Sequence, residues 1–231
     1  MNPPVVFGFA HIIYAIISVV LIVVAIVLIK KFCLSKRSQD IAIYISASVL
    51  LGLIIFNRIS IAVVAEDIVH LLPESYCAMT SLLLAIAVLA VSNRNHPVFH
   101  FLVYMAFVGG FLTTAYPDFI SQADSIWHSR TISGLLHHSV SLYLAILLVV
   151  LGRFKPTIKL WYAMVFGFAV YKMVGLFFYQ ALGIETAMNI FVPLMPWLYW
   201  WTLSLMFIVV YGVGLGLYEY LRYRYTKKTE K

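Results

Sequence analysis

Cys77, His137 and His138 carry the side chains in this sequence best suited to covalent chemistry. A cysteine thiol becomes a nucleophile when a nearby imidazole takes its proton, so one cysteine and one histidine held together make a nucleophile and base pair. Spacing alone does not bring them into contact. Adjacent histidines on a helix leave its axis about 100° apart, so at most one of the two is expected to face the same space as Cys77. That divergence also weakens a metal reading, and the sequence has no His-x3-His or Glu-x2-His pair at this depth. No metal is expected. A retinal Schiff base would call for a lysine on the last helix, whereas the interior lysine, Lys172, falls on the sixth. No cofactor is expected either.

A second set of polar residues sits where apolar neighbours dominate: His11, Asn57, Arg58, Thr113, Thr114, Asp118 and Lys172. Such residues are costly inside a bilayer, which makes each a candidate binding residue. Each also has a structural reading. His11 can serve as an interhelical hydrogen-bond partner, and Thr113 and Thr114 can bond back to their own helix. Gly109-Gly110 suits close helix packing. Arg58 keeps its charge at any accessible pH, so it must reach an acid, a phosphate or the interface. Asp118, Glu66 or a lipid phosphate are its candidate partners. Lys172 lies about three turns from either end of its helix, too deep to snorkel easily.

The elements that must position these groups follow from composition. The chain has 231 residues, 63% hydrophobic and 11% charged. A soluble domain is about one quarter charged, so a water-soluble enzyme or a nucleic-acid binder is excluded, despite the net charge of +7. Apolar runs such as Val19 to Ile26 are continuous rather than alternating, which selects helices over barrel strands. The all-α reading has seven membrane-spanning helices, at about 5–29, 41–64, 75–92, 98–116, 132–151, 160–182 and 194–218, in one domain. Pro193 and Pro196 predict an irregular start to the last one. Alternate connections hold 13 of the 16 Lys and Arg residues, while the others hold Arg130 and six of the nine acids. By the positive-inside rule the N-terminus lies outside and the C-terminus in the cytoplasm. The first helix lacks a basic leader and is expected to stay, and the basic tail suits anionic headgroups. The chain reads as a multi-pass protein of the cell membrane.

With that orientation the polar candidates share the outer half of the membrane or its midplane. The sequence therefore predicts one polar cavity near the extracytoplasmic leaflet, with the inner halves packed as plain apolar core.

Three stretches resemble the YwaF family of bacterial integral-membrane proteins, which is similar to a eukaryotic multi-pass phospholipid acyltransferase. Leu72-Pro73-Glu74-Ser75-Tyr76-Cys77 looks like that family's Leu-Pro-x-x-x-Cys opening of the third span. Gly109 to Asp118, Gly-Gly-Phe-Leu-Thr-Thr-Ala-Tyr-Pro-Asp, resembles its small-residue helix closing on a Thr-x-Pro-Asp-like turn. Leu136-His137-His138-Ser139 resembles its Ser-His-Gly-like opening of the fifth span. The departures are Ser75-Tyr76 before the cysteine, Arg58 after Asn57, and no clear Asn-Tyr element near Tyr171-Lys172.

The resemblance implies acyl transfer between membrane phospholipids through an acyl-cysteine. It maps the nucleophile to Cys77 and the base to His138, with His137 as a substitute. Thr113 or Thr114 would stabilise the developing oxyanion, and Arg58 and Lys172 would hold a phosphate headgroup. The same polar residues also allow a small-solute transporter or substrate-binding membrane subunit, with a small molecule at the midplane. A non-catalytic receptor or assembly protein is the third reading.

Overall fold

The computed structural model describes residues 4–192 and 199–229, and these fold into seven α-helices, with no strand among them. They are α1 (Phe9–Phe32), α2 (Lys36–Ala65), α3 (Tyr76–Ala90), α4 (Pro97–Ala115), α5 (Ser129–Val150), α6 (Tyr162–Leu182) and α7 (Trp200–Thr229). Six, all but α3, are long and apolar enough to cross a membrane. The exception is the 15-residue α3, which spans only about 22 Å at 1.5 Å per residue.

Local chemistry sets the helix ends. Ser35 caps α2 by accepting from the Ser38 N–H, and Ser75 caps α3 by accepting from the Ala78 N–H. Pro97 opens α4, where its missing N–H costs nothing, with His96 as the capping residue. Gly183 closes α6 in the left-handed conformation, φ 70°.

The start of α2 at Lys36, rather than 41, is a correction. The charges of Lys36, Arg37 and Asp40 read as loop, but a capped first turn needs no apolar face. At the other end, α7 carries the basic tail on as helix to Thr229. The expected start at 194, Pro193 and Pro196 lie outside the described residues, as do Met1 to Pro3.

The bundle centres on α5, which packs against both α2 and α4, with α3 wedged between those two. Two-thirds of the apolar stretch of α5 is buried, against 11% for α1, so α1 is mostly lipid-facing surface. The basic connections gather at one end. Arg153 donates to the Lys36 carbonyl at 2.7 Å and lies 3.3 Å from Asp40. The Lys155 N–H reaches Asn95 Oδ1 at 3.2 Å, and the Ile158 N–H reaches Glu219 Oε1 at 2.8 Å. The polar candidates gather at the opposite end.

Candidate functional site

The two adjacent glycines of α4 each admit a different neighbour. A Cβ on Gly110 would lie 2.7 Å from Leu142 Cβ and 2.8 Å from the His138 carbonyl oxygen, so α4 and α5 meet backbone to backbone here. A Cβ on Gly109 would lie 3.2 Å from Cys77 Sγ. The thiol, partly buried, also pairs with the Thr113 side chain one turn along α4. Cys77 of α3 and the His138 backbone of α5 therefore flank consecutive residues of one helix.

The contrast is testable. Gly110→Ala forces backbone apart and is expected to destabilise the protein by about 1–3 kcal/mol, read as a lower thermal midpoint. Gly109→Ala meets only a sulfur and is expected to leave the midpoint nearly unchanged.

One helical turn deeper, the Ser81 hydroxyl lies 3.2 Å from His137 Nδ1 and fixes that ring. The two histidine rings approach to 4.1 Å rather than pointing apart, because side-chain rotation undoes the divergence of their Cα–Cβ bonds. His138 stacks on Phe119 at 6.2 Å, and its ring makes no hydrogen bond among the described residues. The Phe119 ring also crosses Gly134, where a Cβ would come within 2.9 Å of it.

Asn57 is 2% exposed and spends its whole amide on neighbours. Nδ2 donates to Ser133 Oγ at 3.0 Å and to the Arg130 carbonyl at 3.4 Å, while Oδ1 accepts from Arg58 at 3.0 Å. Arg58 also donates to the Leu72 carbonyl at 3.4 Å and lies 3.9 Å from Glu74, whose carboxylate also sits 3.2 Å from His70 Nδ1. The expected partner, Asp118, is exposed on the turn after α4, and Glu66 is exposed at the end of α2. Glu74 takes their place. It lies in the stretch that opens α3, which is what brings it over Arg58.

Three other candidates are engaged structurally. His11 accepts the Phe7 N–H on Nδ1 at 2.9 Å, so its proton sits on Nε2, which donates to the Thr114 carbonyl at 3.0 Å. Neither nitrogen is left for a ligand. The Thr114 hydroxyl donates to the Gly110 carbonyl at 2.7 Å, which leaves Thr113 as the threonine facing Cys77. Lys172 donates to the Met188 carbonyl at 2.8 Å and covers the Tyr76 ring at 4.7 Å. Met188 itself has φ 48° and donates its N–H to the Glu74 carbonyl at 2.8 Å. Lys172 thus ties the turn after α6 to the start of α3, rather than waiting for an anion.

Sequence reasoning missed Glu74, Ser81, Phe119 and Ser133. Helical spacing held the signal for two of them: Ser81 is four residues after Cys77 and Ser133 four before His137. The polar end is packed by mutual hydrogen bonds, while an open groove lies at the other end, beside the buried His100. The expectation of plain apolar inner halves is corrected by that histidine. Among the described residues no three of His, Cys, Asp and Glu gather as a metal set.

No curated protein and no solved structure matches the chain. The family model of the TMEM164 family, a multi-pass membrane family, matches residues 6–217. The chain, an all-helical bundle with six helices apolar and long enough to cross a membrane, belongs to the TMEM164 family.

Proposed function

We propose that this protein is an integral-membrane lipid acyltransferase that works through an acyl-thioester on Cys77, with His138 as its base. The observation that carries the reading is the double-glycine step of α4, where Gly109 faces the Cys77 sulfur and Gly110 faces the His138 backbone, so that α3 and α5 bring the two residues to one level of the bundle. Of the two adjacent rings, His137 is held by Ser81, whereas His138 makes no hydrogen bond among the described residues and keeps a lone pair for a thiol proton. The resemblance to the YwaF family and its acyltransferase relatives points the same way.

The reaction balances without a cofactor. His138 takes the thiol proton, and the Cys77 sulfur attacks the ester carbonyl of a membrane phospholipid. The C–O bond then breaks and the lysolipid oxygen leaves with the proton from His138. An acceptor hydroxyl next gives its proton to His138 and attacks the thioester, and the sulfur leaves to be reprotonated. The Thr113 hydroxyl, beside the sulfur, donates to the oxyanion in both steps. Acyl chains reach the site from the bilayer alongside α4, whose Phe111 and Leu112 are exposed.

The arrangement further requires α3 to cross with the others, giving seven spans. The extended residues that flank it, Leu72 and Ser75 before and Val91 after, add to the length of its 15 helical residues. The N-terminus then lies outside, the tail in the cytoplasm, and the site faces the extracytoplasmic leaflet of the cell membrane. A reporter fused at Lys231 is expected to be cytoplasmic and one inserted at Asp124 extracytoplasmic. Both on one side would end the seven-span arrangement.

Mass spectrometry of the purified protein and its co-purified lipids tests the chemistry. Wild type is expected to carry a hydroxylamine-sensitive fatty-acyl adduct on Cys77. A Cys77→Ser variant is expected to hold phospholipid without the thioester. A bound water-soluble metabolite and no adduct would favour a transporter instead.

A further inference from the structure

We propose that Phe119 is the positioning residue of His138: its ring, admitted by the missing side chain of Gly134, holds the imidazole at the angle from which it takes the Cys77 proton. This role rests on Cys77 and His138 acting as nucleophile and base. A general base works only when one ring nitrogen is aimed at the proton it takes, and a third group commonly aims it by a hydrogen bond to the other nitrogen. His138 has no such group among the described residues. The hydroxyls on the surrounding turns are spent elsewhere: Ser81 pairs with His137 Nδ1, Ser133 accepts from Asn57, Ser139 pairs with the Tyr14 hydroxyl, and Thr114 donates to the Gly110 carbonyl. What bears on the ring is aromatic. His137 lies 4.1 Å away, fixed by Ser81, and Phe119 lies 6.2 Å away with its plane tilted by only 22°.

The chain brings Phe119 to this place from outside the helix. It sits on the short turn Asp118–Gln122 after α4. Ile120 beside it is fully buried, and at the end of the turn Gln122 Oε1 accepts from Arg130 of α5 at 2.5 Å. The turn is thus clamped to the helix that carries His138. Gly134, one helical turn before His138, leaves the slot into which the ring goes. A Cβ there would lie 2.9 Å from Phe119 Cε2, 3.2 Å from its Cζ and 3.6 Å from Asn57 Nδ2. A larger residue at 134 therefore pushes the ring off His138. A leucine at 119 keeps apolar bulk but has no flat face to set the imidazole plane.

Alkylation of Cys77 by N-ethylmaleimide tests the role without a lipid substrate, because the maleimide reacts with the thiolate that His138 produces. The full-length protein is treated in phosphatidylcholine nanodiscs, and the rate is read by mass spectrometry on the Cys77 peptide, with the Cys33 peptide as internal reference. His138→Ala is expected to slow Cys77 by at least about 10²-fold, the contribution of a positioned base. Phe119→Leu and Gly134→Ala are each expected to slow it about tenfold, the effect of a misaimed base, with Cys33 unchanged. The new Cβ of Gly134→Ala meets chiefly the far edge of a side chain that can swing, and alanine favours helix, so its thermal midpoint should stay that of wild type. Phe119→Tyr, which keeps the ring, is expected to recover most of the rate lost in Phe119→Leu. In a His138→Ala background Phe119→Leu is expected to bring no further loss, whereas a merely structural defect would add to it. Wild-type alkylation in both Phe119→Leu and Gly134→Ala, or faster alkylation because the ring only covers the thiol, would overturn the role of Phe119. Alkylation that depends on Phe119 and His138 in a protein that exchanges no acyl chains would sink the acyltransferase reading and leave the positioning of His138 standing.

Discussion

Cys77→Ala is expected to slow acyl exchange between phospholipids in proteoliposomes by at least about 10³-fold. Without the sulfur there is no covalent intermediate, and losses of that order accompany removal of a nucleophile. His138→Ala is expected to cost about 10²–10⁴-fold, the contribution of a positioned general base. The double variant is expected to be no slower than Cys77→Ala alone, because the two groups act as one unit. His137→Ala should cost far less, since its Nδ1 is already taken by Ser81. Thr113→Val removes one donor beside the sulfur and is expected to fall between, at about 10²-fold. A Cys77→Ala protein that exchanges acyl chains at the wild-type rate would sink the acyl-cysteine mechanism. An equal loss in His137→Ala and His138→Ala would move the base to the pair rather than to one ring.

The sequence made the all-helical architecture and the separation of the two ends legible, because both rest on strong signals. Continuous apolar runs admit only helices, and Lys and Arg at alternate connections meet at one end through Arg153, Lys155 and Glu219. The identity of individual partners was not legible. Arg58 had to find an anion, but whether that anion was Asp118, Glu66 or Glu74 depended on how the turn before α3 folds back over α2. That fold-back is fixed by the Met188–Glu74 backbone bond, a contact between residues far apart in sequence. His11 and Thr114 read as candidate ligands because their types are chemical. Their use of both ring nitrogens, and of the hydroxyl, on backbone groups is visible only once α1 lies against α4. His100 escaped notice for the opposite reason: one histidine at the start of an apolar helix carries no spacing signal.

Arg58→Leu is expected to lower the thermal midpoint of the purified protein by several degrees, and Arg58→Leu with Glu74→Leu to recover most of that loss. Arg58 and Glu74 have side chains only 12% and 17% exposed, so both are largely withdrawn from water. Removing the guanidinium leaves the Glu74 carboxylate with His70 as its remaining side-chain partner and takes the donor from Asn57 Oδ1. Breaking such a buried pair costs about 3–5 kcal/mol, and the 3.9 Å separation places this one at the lower end. Replacing both partners with leucine removes the stranded charge along with the attraction, and that exchange is often close to neutral. Arg58→Lys keeps a charge but loses the fork that reaches Asn57 and Glu74 together, so its midpoint should be intermediate. The double variant separates this role from lipid anchoring. If Arg58 gripped a lipid phosphate, Arg58→Leu would weaken phospholipid retention at an unchanged midpoint, and Glu74→Leu would rescue nothing. Identical midpoints for wild type and Arg58→Leu would show that the Arg58–Glu74 pair does not hold α2 to the start of α3.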